Sequence, residues 1–397
     1  MIPMRKKSTP SSNKWLTLLF ACLLLSCTVC NAATTETLKP DTITLSLTEA
    51  GTLHERIGNN KKLKIECLRL KGMLNIDDIQ FIREMAGCYY DTKGHKYDGH
   101  LRYLDISGAT LTNTDNKEVS IYPRDPSEYE GTPWPSAEAY INDKGTPVAI
   151  FAYLYDMEEI VLPAKLKSIG DDAFIFCRSL KSINIPESVQ KIGLRAFFGC
   201  SSLKSMKLPI GITEIKSGLL SSCTNLTSID IPYTTEEIGH NAFSKCTSLK
   251  SIELPYSLNN MGISVFYGCT ALTSVTIPKN IRYINDYTFA NCNSLKSIYA
   301  LNPQGIGIKG KPFEEYTQSQ CTLYVPEGSM YNYQCWEEWY AFNHIVEFSP
   351  TGINGVHSAA ERREVERYDT SGRRQTSPTK GLNIVRFNDG TTRKVMK

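Results

Sequence analysis

Pro163, Pro186, Pro209, Pro232, Pro255 and Pro278 stand 23 residues apart. Cys177, Cys200, Cys223, Cys246, Cys269 and Cys292 keep the same step, and so do Leu180, Leu203, Leu226, Leu249, Leu272 and Leu295. Phe174, Phe197, Phe243, Phe266 and Phe289 share it, with Leu220 in the remaining place. No insertion or deletion breaks the series. A period of this length marks stacked supersecondary units, none of which can bury its apolar face alone.

One unit runs from Leu180 to Cys200. Ile183 and Ile185 fall on one side of a strand by its two-residue period. Pro186 has no backbone donor and suits the strand's end. Val189 and Ile192 begin a second buried edge, and Gly193 is expected to supply a turn with positive φ. Ala196, Phe197 and Cys200 have the spacing of one short helical or 3₁₀ turn facing inward. In the third copy Lys216, Leu219 and Leu220 replace the Gly, Ala and Phe of its predecessor, and Asn285 replaces the Gly in the sixth. Each unit offers about seven inward apolar positions, each contributing roughly 1.5–3 kcal/mol when buried. Ordering the backbone costs roughly 1–2 kcal/mol per residue, so a lone unit cannot fold. The expected fold is an α/β repeat solenoid of 23-residue leucine-rich units, with parallel β ladders and a cap at each end.

The start of the chain reads as an export signal. Arg5, Lys6, Lys7 and Lys14 surround the approach to an apolar run, Trp15 to Leu25, too short to span a bilayer. Two processing routes stay open. Cys30-Asn31-Ala32 is a small-x-Ala cleavage site that would leave Ala33 first, whereas Leu24-Leu25-Ser26-Cys27 resembles a lipobox that would put a lipid on Cys27. Residues 1–32 are therefore assigned to a signal peptide, and the Cys27–Cys30 pair is not read as a redox or zinc motif.

Residues 33–140 are read as irregular leucine-rich repeats followed by a Pro-rich loop. Asn75 is placed to cap a helix carrying Ile76, Ile79, Phe81, Ile82 and Met85. The tandem repeats occupy 141–300, with Phe151 marking a degenerate first unit one step before Phe174. In 301–348, Cys321 to Pro326 is expected to be the final strand. Ser329 then caps a helix whose Tyr333, Trp336, Trp339 and Tyr340 pack on the last repeat, followed by Ile345 and Val346. A linker over 349–366 leads to a small β tail over 367–397, with Asn388-Asp389-Gly390 as its hairpin turn.

The unit from Ile183 to Leu203 (I-x-I-P-x-x-V-x-x-I-G-x-x-A-F-x-x-C-x-x-L) resembles the repeats of BspA-like leucine-rich repeat surface proteins of anaerobic gut and oral bacteria. The segment from Cys321 through Trp339 is similar to the one that closes such arrays. The tail from Tyr368 to Val385 looks like a shortened C-terminal sorting segment. The likeness covers roughly residues 41–397. It implies an exported protein, on the cell surface or secreted, that adheres to host or bacterial proteins.

Catalysis finds no candidate residues. His54, His95, His100, His240, His344 and His357 lack metal-site spacing, and neither a nucleophile elbow nor a phosphate or calcium loop is present. No cofactor or metal is expected. The net charge of +3 makes no case for a nucleic-acid or polyanion partner, and the basic tail reads as solubilising. Adjacent rungs hold the column cysteines about 4.8 Å apart with parallel Cβ vectors, a geometry that disfavours disulfides. They are expected to be buried thiols that pack as small hydrophobes. Cys67, Cys88, Cys321 and Cys335 are left open as disulfide partners.

Binding does have candidates. Ser182, Ser205, Ser228, Ser251, Ser274 and Ser297 form a constant outward column. Beside it run Asn184, Lys207, Asp230, Glu253, Thr276 and Tyr299, different in every copy. Variation on a fixed scaffold is what a recognition face would show, although a merely solvated surface varies too. The expected partner is an extracellular protein met by a monomer, with association to an outer membrane. The other function class is a carbohydrate-binding or scaffold component of a surface nutrient-uptake complex.

Overall fold

In the strand Ser182–Asn184, Ile183 turns inward while Ser182 and Asn184 stay exposed. Successive strand residues face opposite sides, so a single inward apolar residue, Ile183 here and Met206 in the next rung, orients a short strand. The computed structural model describes residues 42–87, 99–113, 119–121, 137–141 and 147–349, and tail strands at 364–368, 374–375, 382–387 and 392–396. The chain divides into two units, Met1–Thr42 and Ile43–Lys397. Residues 1–32, read as a signal peptide and containing Cys27, lie outside the described residues, as does Cys88.

Within the second unit, strands pair in parallel with the equivalent residues of the next rung. Ser205, Met206 and Lys207 pair with Ser228, Ile229 and Asp230. One run of this ladder comprises Ile43–Leu47, Cys67–Leu74, Tyr103–Leu111, Glu159–Val161 and Ser182–Asn184. The far run comprises Ser251–Ile252, Ser274–Ile277, Ser297–Ala300, Thr322–Pro326 and His344–Phe348. After each proline the chain bends into a second ladder of two-residue strands, such as Glu214–Ile215, Glu237–Ile238 and Asn260–Met261.

The third edge of each rung differs from the helical turn expected over Ala196 to Cys200. Arg195, Phe197 and Gly199 donate their amides to the carbonyls of Ser217, Leu219 and Ser221 in the next rung, at 3.0, 3.0 and 2.8 Å. Isolated i→i+3 bonds, such as Phe198 N–H to Arg195 O at 3.0 Å, close the bends. Left-handed residues four apart break any helix: Arg195 and Gly199 (φ 51 and 71), Asn241 and Lys245 (55 and 59), Ser264 and Gly268 (58 and 71).

Gly193 is not among the positive-φ residues, which corrects its expected role. A Cβ there would overlap the backbone nitrogen and carboxylate of Asp171 in the rung below. Gly239 is alike, since its Cβ would lie 2.6 Å from Ser217 N. Glycine at this place permits close approach between rungs. Asn285 is likewise not left-handed, and its side-chain amide donates to Met261 O.

The interior is one continuous apolar cluster. Buried phenylalanine rings stack rung on rung: Phe151–Phe174 at 5.4 Å, Phe174–Phe197 at 5.0 Å, Phe243–Phe266 at 5.7 Å and Phe266–Phe289 at 5.6 Å. Leu220 fills the gap, and Phe313 extends the stack at 5.6 Å from Phe289. The column cysteines do more than pack. Each Sγ donates to the carbonyl at the Phe place of the preceding rung, Cys223 to Phe197 O and Cys246 to Leu220 O, both at 3.2 Å.

At the N-terminal side, helix Ile76–Met85 opens with a capping box. Asn75 accepts the Asp77 and Asp78 amides, and the Asp78 carboxylate accepts the Asn75 amide at 3.1 Å. Arg83, buried in this helix, donates to Ile150 O and Ala152 O at 3.2 and 2.7 Å, tying the helix to the first tandem unit. The stretch read as a Pro-rich loop contains two antiparallel strands, Val119–Ile121 and Ala137–Ile141.

At the other end, Thr322–Pro326 is not the final strand: His344–Phe348 pairs with it in parallel. The expected helix after Ser329 is split into Met330–Gln334 and Glu337–Tyr340, with Trp336 extended between them. Ser329 does not cap with its side chain, because its hydroxyl donates to Pro326 O at 2.5 Å. The aromatics divide accordingly. Trp339 is fully buried, donating from Nε1 to Ile306 O at 2.6 Å with its ring 5.1 Å from Phe313. Tyr333 is buried too, its hydroxyl donating to Asn302 O at 2.7 Å. Trp336 and Tyr340 instead stand 38% and 68% exposed, contrary to their expected packing.

The tail forms its own antiparallel sheet, in the order Arg374–Gln375, Glu364–Tyr368, Leu382–Phe387, Thr392–Met396. Its first strand begins inside the segment read as linker, and the Asn388-Asp389-Gly390 turn lies outside the described residues. Cys321 is a buried free thiol and Cys335 an exposed one. Among the described residues no helix is long and apolar enough to cross a membrane.

Candidate binding face

Every candidate of the variable column lies on the outward side of the first ladder, because the residues on either side of it are the inward apolar ones, such as Met206 and Leu208 beside Lys207. Asn184, Lys207, Asp230 and Glu253 are exposed, and Thr276 and Tyr299 half-buried. The ladder makes direct neighbours of Lys207 and Asp230, and of Thr276 and Tyr299. Asn184 pairs with Val161, and Glu253 sits one residue beyond the strand Ser251–Ile252. Candidates are thus joined in two pairs, with Asn184 before the first and Glu253 in the rung between them. The column continues beyond its expected ends: Arg69 pairs with Asp105, Asp105 with Val161, and Tyr299 with Tyr324.

The two ends differ chemically. At the N-terminal end Asp105 is buried and accepts from Arg69 and from the Ser107 amide. In the middle Lys207 meets Glu187 at 3.3 Å, an exposed pair of little energetic weight. At the C-terminal end the Tyr299 and Tyr324 rings stack at 4.5 Å, and Phe348 meets Tyr299 edge-on at 5.9 Å. Burial, and then the neighbouring Tyr324, raises the Tyr299 hydroxyl above the usual tyrosine range.

Tyr324 and Phe348 were missed in the sequence because they fall outside the 23-residue register. The signal was present: Ile298-Tyr299-Ala300 and Leu323-Tyr324-Val325 share one pattern, shifted by a two-residue insertion. Among the described residues no group of three His, Cys, Asp or Glu side chains gathers where a metal ion could bind. The face offers an ion-pairable centre and an aromatic end, the equipment of noncovalent recognition.

The model of the BspA type leucine rich repeat region matches residues 147–262 and 213–328, in six copies. Among solved structures, a T. pallidum leucine rich repeat protein is similar at 28% identity and TM-score 0.39, over 45% of this chain and 85% of that one. A leucine rich cell surface protein from Faecalibacterium prausnitzii matches at 19% identity and TM-score 0.33, over 52% and 78%. A leucine-rich repeat protein from Bacteroides ovatus matches at 28% identity and TM-score 0.34, over 50% and 56%. No curated protein matches the sequence.

Proposed function

We propose that this chain, a member of the BspA-type leucine-rich repeat family through its repeats between residues 147 and 328, is a surface-displayed or secreted adhesin. Its family supports protein–protein interaction in general. The finer reading is adhesion to a host or bacterial protein outside the cell, by a monomer exported through its first 32 residues. The carrying observation is the outward column, where Lys207 and Asp230 lie side by side on successive rungs of one parallel ladder. Substitutions there alter recognition without touching the core, and the Tyr299, Tyr324 and Phe348 rings supply the aromatic area that interface anchors use.

The test is saturable binding of the purified chain to immobilised extracellular-matrix proteins and to bacterial surface proteins. Combined Lys207→Glu, Asp230→Lys and Glu253→Lys substitution should abolish binding while the melting temperature stays unchanged. Undiminished binding by that variant would remove the sheet face from the reading. Size-exclusion chromatography tests the monomer. Metabolic lipid labelling of the parent against Cys27→Ser decides between the two export routes.

A further inference from the structure

We infer that a groove beside the C-terminal helices binds an acidic polysaccharide, on a surface separate from the variable column. The second ladder runs through the strands Tyr283–Ile284 and Gly307–Ile308, with Tyr283 paired to Gly307. Glycine leaves the backbone bare at that rung. A Cβ at 307 would come within 2.7 Å of the Tyr283 ring and 3.1 Å of Trp336. Two aromatic rings therefore converge on one glycine, yet both remain open to solvent, Tyr283 at 47% and Trp336 at 38%.

Around them lies a groove of about 720 Å³. Its walls carry the amides of Asn259, Asn280, Asn302 and Gln304 and the cations of Lys279 and Arg282. Among the described residues, no Asp, Glu, Ala, Val, Leu or Ile lines it. Neither Lys279 nor Arg282 forms an ion pair with another described residue. A third cation, Lys309, stands 4.4 Å over the Tyr283 ring and holds that ring by a cation–π contact.

This combination has a specific chemical counterpart. Pockets for apolar ligands are lined mostly by hydrophobic side chains, which this one lacks apart from its two rings. A sugar ring presents an apolar C–H face, which lies flat on an aromatic face, and a rim of hydroxyls that both donate and accept. Asn and Gln amides also do both. A carboxylated sugar adds an anion whose two oxygens can accept the paired N–H donors of the planar Arg282 fork. Single-stranded nucleic acid would use the rings as well, but such sites track a phosphate backbone with a continuous basic groove. Here amides outnumber cations. The whole-chain charge of +3 conceals the patch because carboxylates elsewhere offset it.

Isothermal titration of the purified full chain with oligogalacturonate and a sialylated oligosaccharide tests the assignment. A neutral glucan oligomer, an oligothymidylate and a poly-glutamate peptide serve as comparisons. One acidic saccharide should bind with quenching of tryptophan fluorescence, and the neutral oligomer at least about tenfold more weakly. Trp336→Ala and Arg282→Ala should each weaken that binding by about tenfold or more, with unchanged melting temperature. The triple charge-reversed variant of the sheet face should bind the saccharide as the parent does, so this proposal and the adhesin reading fail separately. Binding confined to the oligonucleotide or the peptide, equal binding of the neutral glucan, no saccharide binding at all, or binding indifferent to both groove variants would overturn it.

Discussion

The Sγ of Cys200 donates to the carbonyl oxygen of Phe174 at 3.2 Å, joining one rung to the rung before it. That carbonyl already accepts the Cys177 amide at 3.2 Å, so the thiol engages its second lone pair where Phe174 and Cys200 are both fully buried. Cys246→Ala removes both the donor and a buried sulfur. The expected loss is about 1–3 kcal/mol of stability, read as a lower urea midpoint. An unchanged midpoint would mean that the column contributes neither bond nor packing.

Burial raises the Cys223 and Cys292 thiols from the ordinary value of 9.0 to about 12. A folded-state pKa above the unfolded one means that the unfolded chain gives up its proton first. Stability from these thiols is full below pH 9.0 and declines as pH rises toward about 12. Melting temperatures measured across that window should fall, and a variant with Cys223 and Cys292 both changed to Val should fall less. At neutral pH a thiol-specific disulfide reagent should modify exposed Cys335 in the folded protein, and the column thiols only after denaturation.

Lys245 and Gly268 occupy the same place in successive rungs, both left-handed, at φ 59 and 71. An L side chain in that region costs roughly 1–2 kcal/mol, partly offset by the larger entropy glycine loses on folding. Lys245→Gly should therefore stabilise by up to about 1 kcal/mol, and Gly268→Lys should destabilise by a similar amount. A Cβ at 268 meets only ordinary contacts, 3.5 Å or more away, so crowding does not confound the comparison. Equal and opposite shifts in thermal midpoint would confirm conformational strain as the cause.

Trp339 and Trp336 make a contrast three residues apart. Trp339→Ala empties a site closed by Phe313 and the Ile306 carbonyl and should cost about 3–5 kcal/mol. Hydrogen exchange should show the loss concentrated in the strands nearest that end. Trp336→Ala, at a partly exposed side chain, should leave stability nearly unchanged. Equal losses would contradict the division between a buried Trp339 and a partly exposed Trp336.

The stacked columns were readable because one period governs strand, proline, phenylalanine and cysteine alike. The reason for Gly193 was not, since close approach and positive φ both require a missing Cβ, and only coordinates separate them. The left-handed residues were hidden for the opposite reason: Arg195, Lys245 and Tyr287 carry no sequence mark of an unusual φ. Of the variable column, the middle was legible and the aromatic end was not, because Tyr324 and Phe348 lie past the insertions that break the register. The Trp336 groove joins three rungs, at Asn259, Tyr283 and Gly307, to the Trp336 segment, a meeting set by how the chain returns over its last repeat.

The amide of Phe197 bonds to Leu219 just as that of Phe243 bonds to Val265, so successive rungs meet through interchangeable surfaces. A duplicated or deleted copy at the genetic level would therefore splice into the array with its junctions already matched. Lineages can lengthen or shorten such a protein by whole copies, sliding its outward patches apart or together without inventing a new interior.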